Sequence, residues 1–294
     1  MKDPKLPDSL QILTIVAHPH DVTYTLGTSA HHIQRGDRVT AVSLTDGVTT
    51  HDEELENELR KPEYERRTEI LLRPRDQQAR RKQREMGRVC HLFGITDVRV
   101  LPFPDNPIEA TPELNRTLAD VFYEIRPDIV ITHAPFDYPH HNTTSLWGHD
   151  HPATGQSVWQ AMQRVSQADA QHKRAPHKVA QVYYIGVEFG WTDIDLFVDI
   201  SDQIASRIAA EALYETQGHT SQFARKHVEA FAGSAGWWGR TGYAEPFIRA
   251  KAETSEYLTV SPIDLRTARE TVQKNLQRMG QFASAQPGET GDQS

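Results

Sequence analysis

The 294-residue chain has a single cysteine, Cys90, so no internal disulfide can form. Cys90 lies in a charged, helix-like stretch and reads as a packing residue rather than a nucleophile. No apolar run approaches the roughly 18 residues of a membrane span. The opening MKDPKLPDSLQ lacks the apolar core of a secretory leader. Together these absences lead us to expect a cytoplasmic protein with no membrane partner. A basic excess is missing too: 32 Lys and Arg stand against 40 Asp and Glu, a formal charge of −8. Nucleic acids and anionic membrane surfaces call for a basic footprint, so neither is an expected partner. There are no internal repeats, and nothing in the sequence speaks for or against a homo-oligomer. Hydrophobic content of 37% and charged content of 24% are ordinary for a globular chain long enough to bury a sizeable core.

What the chain does have is an alternation of strand-like and helix-like segments. Gln11–Ala17, Arg38–Leu44, Asp97–Phe103 and Asp128–Thr132 are short apolar runs of strand character. Helical patterns fall between them, at Tyr24–Gln34, Arg75–Phe93 and Pro112–Ile125, with the charged stretch Thr49–Arg75 lacking apolar anchors. Continuous apolar strands alternating with helices predict a parallel sheet covered on both faces. After His151 a helix is expected to Gln167, then a polar linker at Ala168–Lys178 and strands at Val179–Ile185 and Leu196–Ile200. Helices are expected to dominate the remainder, at Gln203–Glu215, Ser221–Ala230 and Pro262–Met279. The fold class is therefore α/β: a Rossmann-like open, mostly parallel sheet with a helical C-terminal part. Residues 1–282 form one domain in this reading, and the small, polar tail 283–294 is expected to be disordered.

The chain also has 15 histidines, and their placement matters more than their number. Ala17-His18-Pro19-His20-Asp21 directly follows the first strand, and a second histidine-rich stretch from His133 to His151 follows the fourth. In a doubly wound sheet of order 3-2-1-4-5 those two strands are neighbours, and ligands bind in the crevice beyond their carboxyl ends. Imidazole and carboxylate suit a divalent transition ion, and a catalytic site offers it three protein ligands. His18 and Asp21, three apart on a tight turn, can reach one ion together, and His151 is the best-placed third ligand. A general base beside the ion would complete a hydrolytic site.

These residues resemble the signature of the PIG-L/LmbE metal-dependent deacetylases. The family's AHPDDE appears here as Ala17-His18-Pro19-His20-Asp21-Val22, and its H-x-D-H pattern as His149-Asp150-His151 in a shortened form. Further pieces agree in order: Gly36-Asp37-Arg38-Val39, Arg84-Glu85 before Leu92-Phe93-Gly94, Pro104-Asp105, Gly218-His219-Thr220-Ser221-Gln222 and Tyr243-Ala244-Glu245-Pro246-Phe247. The resemblance spans roughly residues 11–250 and implies Zn2+ or another divalent ion held by His18, Asp21 and His151. It implies hydrolysis of an N-acetyl or N-acyl group on an amino sugar or similar small molecule. His149 falls near the position that steadies the tetrahedral intermediate, and Asp150 near one that orients an imidazole. Arg84 and Asp105 are expected at the substrate.

Two departures bear on the chemistry. His20 stands where the family has its presumed base, and Val22 replaces the Glu. The imidazole of His20 is expected to act as the catalytic base, removing a proton from water and returning it to the leaving amine; an extra ligand or a substrate contact are the alternatives. The same superfamily includes a hydratase of the 4-oxalomesaconate type, which adds water to an unsaturated di- or tricarboxylic acid. It too lacks the intact AHPDDE and carries an Asp-His-Pro sequence like Asp150-His151-Pro152, and it is the alternative reading.

Overall fold

The computed structural model describes residues 7–136 and 150–281. The apolar run Gln11–Val16 forms strand β1, whose side chains alternate between two core layers. Leu13 and Ile15 enter one layer, Ile12 and Val16 the other. A strand buried on both faces needs this composition, which is why the run is unbroken rather than alternating with polar residues.

The chain continues through α1 (Leu26–Arg35), β2 (Arg38–Thr45), α2 (Glu53–Arg60), α3 (Thr68–Leu71), α4 (Arg75–Leu92), β3 (Asp97–Phe103), α5 (Pro112–Ile125) and β4 (Ile129–Thr132). Then follow α6 (Asp150–Val165), β5 (Gln181–Ile185), β6 (Leu196–Asp199), α7 (Ile204–Glu211), α8 (Ser221–Gly239), β7 (Ala244–Arg249), α9 (Pro262–Arg269) and α10 (Val272–Arg278). One seven-stranded sheet of order β3-β2-β1-β4-β5-β7-β6 carries them. β1 pairs in parallel with β2 and β4, with Ile15 opposite Thr132, so the turn after β1 and the segment after β4 leave the sheet side by side. The expected order and the α/β class hold.

Several expectations are corrected. A further strand, β7, runs antiparallel to both β5 and β6 across the segment Ala244–Arg249. The helix at Ser221 does not stop at Ala230 but continues to Gly239, taking Trp237 and Trp238 with it. Trp238 stacks on Trp191, ring centroids 4.1 Å apart, and both remain exposed. The expected helix Pro262–Met279 divides into α9 and α10 around Glu270 and Thr271, and Thr271 caps the second. The charged stretch 49–75 is ordered by a buried carboxylate: Glu58 accepts from Lys61 Nζ at 2.6 Å and from the Arg67 main-chain N–H at 3.0 Å. The tail 283–294 lies outside the described residues.

Candidate metal centre

The turn after β1 is built by Asp21. Its Oδ2 accepts the His18 main-chain N–H at 2.8 Å, while its own N–H donates to the His18 carbonyl at 3.1 Å. This reciprocal pair fixes both side chains before anything else touches them. Gly47, at the end of β2 with φ +66°, lets the neighbouring loop press against His18 and Pro19, where a Cβ would lie 3.2 Å from the proline ring.

Across the crevice, α6 begins with Asp150 and His151. The helix sits unusually close to the segment after β4, because a Cβ on Gly155 would lie 2.5 Å from the His133 carbonyl oxygen. That close approach stacks the His151 ring on His133, centroids 3.9 Å apart.

Three imidazole nitrogens surround one oxygen of Asp21. His18 Nδ1 lies 3.3 Å from Asp21 Oδ2, His133 Nε2 3.4 Å and His151 Nε2 3.5 Å. These separations exceed an ordinary N–H···O bond. They match the spacing of about 3.3 Å between two ligand atoms on a tetrahedral ion with bonds of about 2.0–2.1 Å. The donor atoms of His18, Asp21 and His151 all lie within 4.8 Å of one another, and this set of two imidazoles and a carboxylate fits a divalent transition ion. The donor atoms of His133, His151 and Glu188 also lie within 4.8 Å of one another, but the two stacked rings, 15° from parallel, aim their in-plane lone pairs side by side rather than at one point.

Each histidine is steadied from behind. His18 Nε2 lies 2.9 Å from Asp150 Oδ2, and His151 Nδ1 is hydrogen-bonded to Glu188 Oε1. Asp150 is fixed in turn by the main-chain N–H groups of Asn106 at 3.0 Å and Ile108 at 2.6 Å. Burial pushes the Asp150 carboxyl up, but His18 and these N–H groups outweigh it and hold the carboxyl down at about 2. Burial also opposes charge on Asp21 and Glu188, yet the neighbouring imidazoles, His151 first among them, keep both well below the usual carboxylate range. A carboxylate behind each imidazole sets its tautomer and orientation, the arrangement that supports metal ligands.

His133 is the site's unattached imidazole. It is 1% exposed, and neither ring nitrogen makes a hydrogen bond among the described residues. Its Nδ1 stands 3.9 Å from Glu188 Oε2.

The other sequence expectations fall differently. His20 turns away from Asp21's cluster and binds Glu211 Oε1 through Nε2 at 2.7 Å, in a group of its own with His219. Asp105 is buried and spends its oxygens on the main-chain N–H groups of Thr49 at 3.3 Å and Thr50 at 2.7 Å. It therefore holds the loop that places Thr50 Oγ1 3.3 Å from His18 Nε2. Arg84 lies on the exposed face of α4; the buried cation on that helix is Lys82, whose ammonium is desolvated and pushed down in pKa beside Glu53 and Glu85. His149 lies outside the described residues. Sequence reasoning assigned no role to His133, Glu188 or Glu211, although His133 directly follows β4 and Glu188 lies three residues after β5, where the crevice rule points.

The fold and site define an α/β protein with a His-Asp-His cluster, of a kind that could hold a metal ion, at the topological switch point of its sheet. Residues 13–162, about half of the chain, match the family model described as PIG-L: GlcNAc-PI de-N-acetylase, and the chain belongs to this family. A 1D-myo-inositol 2-acetamido-2-deoxy-alpha-D-glucopyranoside deacetylase of Mycobacterium sp. (strain KMS) is 27% identical, the match covering 70% of this chain and 74% of the relative. A probable N-acetyl-alpha-D-glucosaminyl L-malate deacetylase 2 of Bacillus anthracis is 28% identical, over 74% of this chain and 84% of that one. Among solved structures, the 4-carboxy-2-hydroxymuconate hydratase of Pseudomonas putida superposes with a TM-score of 0.67 at 20% identity, over 86% of this chain and all (100%) of that one. The N,N'-diacetylchitobiose deacetylase of Pyrococcus horikoshii does so with 0.61 at 17% identity, over 82% and 83%. At such identities the two structures speak for the fold alone.

Proposed function

We propose that this protein is a metal-dependent N-deacetylase of small N-acetylglucosaminyl compounds. The observation that carries the reading is the ring of imidazoles at 3.3–3.5 Å around Asp21 Oδ2, in a chain of the PIG-L family. Both relatives are named for removing an acetyl group from an N-acetylglucosaminyl substrate, which supports the substrate class. His18, Asp21 and His151 would hold the ion, with zinc the best match to the donor set. Such an ion supplies Lewis acidity, polarising an acyl oxygen and making water a stronger acid.

The chain's own groups do the rest. Asp150 and Glu188 accept from the remote nitrogens of His18 and His151 and keep both rings aimed inward. We place proton transfer on His133 rather than on His20, because His20 is engaged by Glu211 while His133 is uncommitted beside Asp21. With Nδ1–H turned toward Glu188, His133 Nε2 takes the proton of the attacking water and returns it to the leaving amine. Water and the amide thereby become acetate and a primary amine. The oxyanion contact that the family resemblance gives His149 belongs to the same proposal.

The test incubates zinc- or cobalt-loaded protein with glucosaminyl-inositol and glucosaminyl-malate compounds carrying the N-acetyl group. Acetate and primary amine should appear together and vanish in His151→Ala. Failure to release amine, with loss of ultraviolet absorbance from a conjugated unsaturated dicarboxylic acid instead, would replace the deacetylase by a hydratase.

A further inference from the structure

A second group of histidines converges on Glu211, at the end of α7. His20 Nε2 lies 2.7 Å from Glu211 Oε1, His219 Nδ1 3.3 Å and His227 Nε2 3.9 Å. The four residues come from four places: the turn after β1, the end of α7, the loop before α8, and α8 itself. One protonated imidazole would balance one carboxylate, so three imidazoles around a single oxygen exceed what charge balance requires. The distances bracket the spacing of about 3.3 Å that a small tetrahedral ion imposes on its ligands.

A separate observation points the same way. The Glu211 side chain is fully buried (0% exposed), yet its other oxygen, Oε2, has no hydrogen-bond partner among the described residues. The nearest cation is Arg207, with Nη1 3.9 Å away, and that nitrogen and Nε are also unbonded. A buried carboxylate oxygen that faces a guanidinium at 3.9 Å but accepts no hydrogen bond is incompletely compensated, and a cation bound to the carboxylate supplies the missing compensation.

The rings are held for such a role. Tyr214 and Tyr24 pack edge-on against His20, with centroids at 4.8 and 5.9 Å, and Phe223 stacks on His227 at 5.3 Å. Side-chain exposures of 12% for His20, 11% for His219 and 17% for His227 leave a way in from solvent. His219 Nδ1 also lies 3.2 Å from the Glu211 main-chain oxygen, so an incoming ion displaces the proton of that bond.

We infer that His20, Glu211 and His219, with His227 beside them, form a second transition-metal site, separate from the one at Asp21. Two or three imidazoles with one carboxylate select zinc, cobalt or nickel over magnesium or calcium, which need more oxygen donors. The site clamps the turn that carries His18 and Asp21 to α7 and α8, and occupancy stabilises that junction. This inference does not depend on the deacetylase reading, since neither substrate nor turnover enters it.

The test is cobalt(II) stoichiometry on chelator-treated, full-length protein, by equilibrium dialysis with elemental analysis. Wild type should bind two equivalents, while His151→Ala, Glu211→Gln and His219→Ala each bind one, and His151→Ala/Glu211→Gln none. Cobalt should raise the melting temperature of His151→Ala by a few degrees and leave that of the double variant unchanged. Because Glu211→Gln alters a buried charge, His219→Ala, at a partly open loop, is the milder variant and is checked for folding by circular dichroism. One equivalent in wild type, lost in His151→Ala and kept in Glu211→Gln, would overturn the second site and leave the first intact. Two equivalents retained in both Glu211→Gln and His219→Ala would overturn it as well.

Discussion

His18 Nε2 and Asp150 Oδ2 meet at 2.9 Å, although 132 residues separate them in the chain. The contact ties the turn after β1 to the first residue of α6. It makes Asp150 the group that decides which His18 nitrogen faces Asp21.

Asp150→Asn should therefore weaken metal binding without removing a ligand. The amide keeps an acceptor for one of the Asn106 and Ile108 N–H groups but loses the charge that fixes His18. Losing such a partner typically costs about 10–100-fold in metal affinity. Competition dialysis against a chelator reads the change, with His18→Ala as the limit of complete loss at this site. An affinity equal to wild type would show that Asp150 does not govern His18.

Gly155→Ala should damage the site through packing alone. The added methyl would sit 2.5 Å from the His133 carbonyl oxygen and 2.7 Å from Ala134 C, both backbone atoms that cannot rotate aside. Overpacking of this kind typically costs about 1–3 kcal/mol. Moving α6 outward also separates His151 from Asp21, so deacetylation should fall further than stability. Denaturant melts and a turnover assay on the same preparation separate the two effects.

How much of this was legible in the sequence follows from which residues face which partner. The parallel half of the sheet could be read because β1, β2 and β4 are apolar runs whose only stable place is between two layers. β7 was not read as a strand, because Ala244–Arg249 is short, carries Pro246 and finds its partners only through antiparallel pairing with β5 and β6. The last turns of α8 were hidden by Gly233, Gly236 and Gly239, which argue for a loop until tertiary packing overrides their poor helix propensity. At the site, His18, Asp21 and His151 were legible because local spacing and strand order bring them together. The direction of the His20 ring was not, because Glu211 lies 191 residues away on a helix whose rotation no local pattern fixes. Arg84 and Lys82 show the same limit: two residues along α4 exchange an exposed cation for a buried one.

His133 and His20 give a paired test of proton transfer. If His133 carries the proton, His133→Gln should lower kcat by about 100-fold or more, the usual contribution of a general base, with KM changed little. His20→Gln should leave kcat within about tenfold of wild type, since its Nε2 is committed to Glu211. Single-turnover and steady-state rates on the same substrate make the comparison. The opposite ranking would return the base to the position the family resemblance gives it.

Asp37 should make stability acid-sensitive from outside the site. Its side chain, 1% exposed, accepts from the Leu10 main-chain N–H at 2.9 Å, from His32 Nδ1 at 2.7 Å and from Arg35 Nε at 2.9 Å. Burial pushes the carboxyl pKa up, but these donors together hold it below its ordinary value. A depressed folded pKa means that the unfolded chain binds the proton more readily. The stabilisation is thus fully present above the unfolded value of about 3.9 and is lost as pH falls through the folded one. At pH 7, Asp37→Asn should cost about 1.5–3 kcal/mol, the range for hydrogen bonds to a charged group. Near pH 3, below the unfolded value, the difference between variant and wild type should shrink. The unfolded chain takes up a proton at Asp37 that it cannot take up at Asn, and only wild type loses that stability. Urea unfolding at the two pH values checks it, and a difference that grows on acidification would contradict the assignment of Asp37 as an ionised anchor.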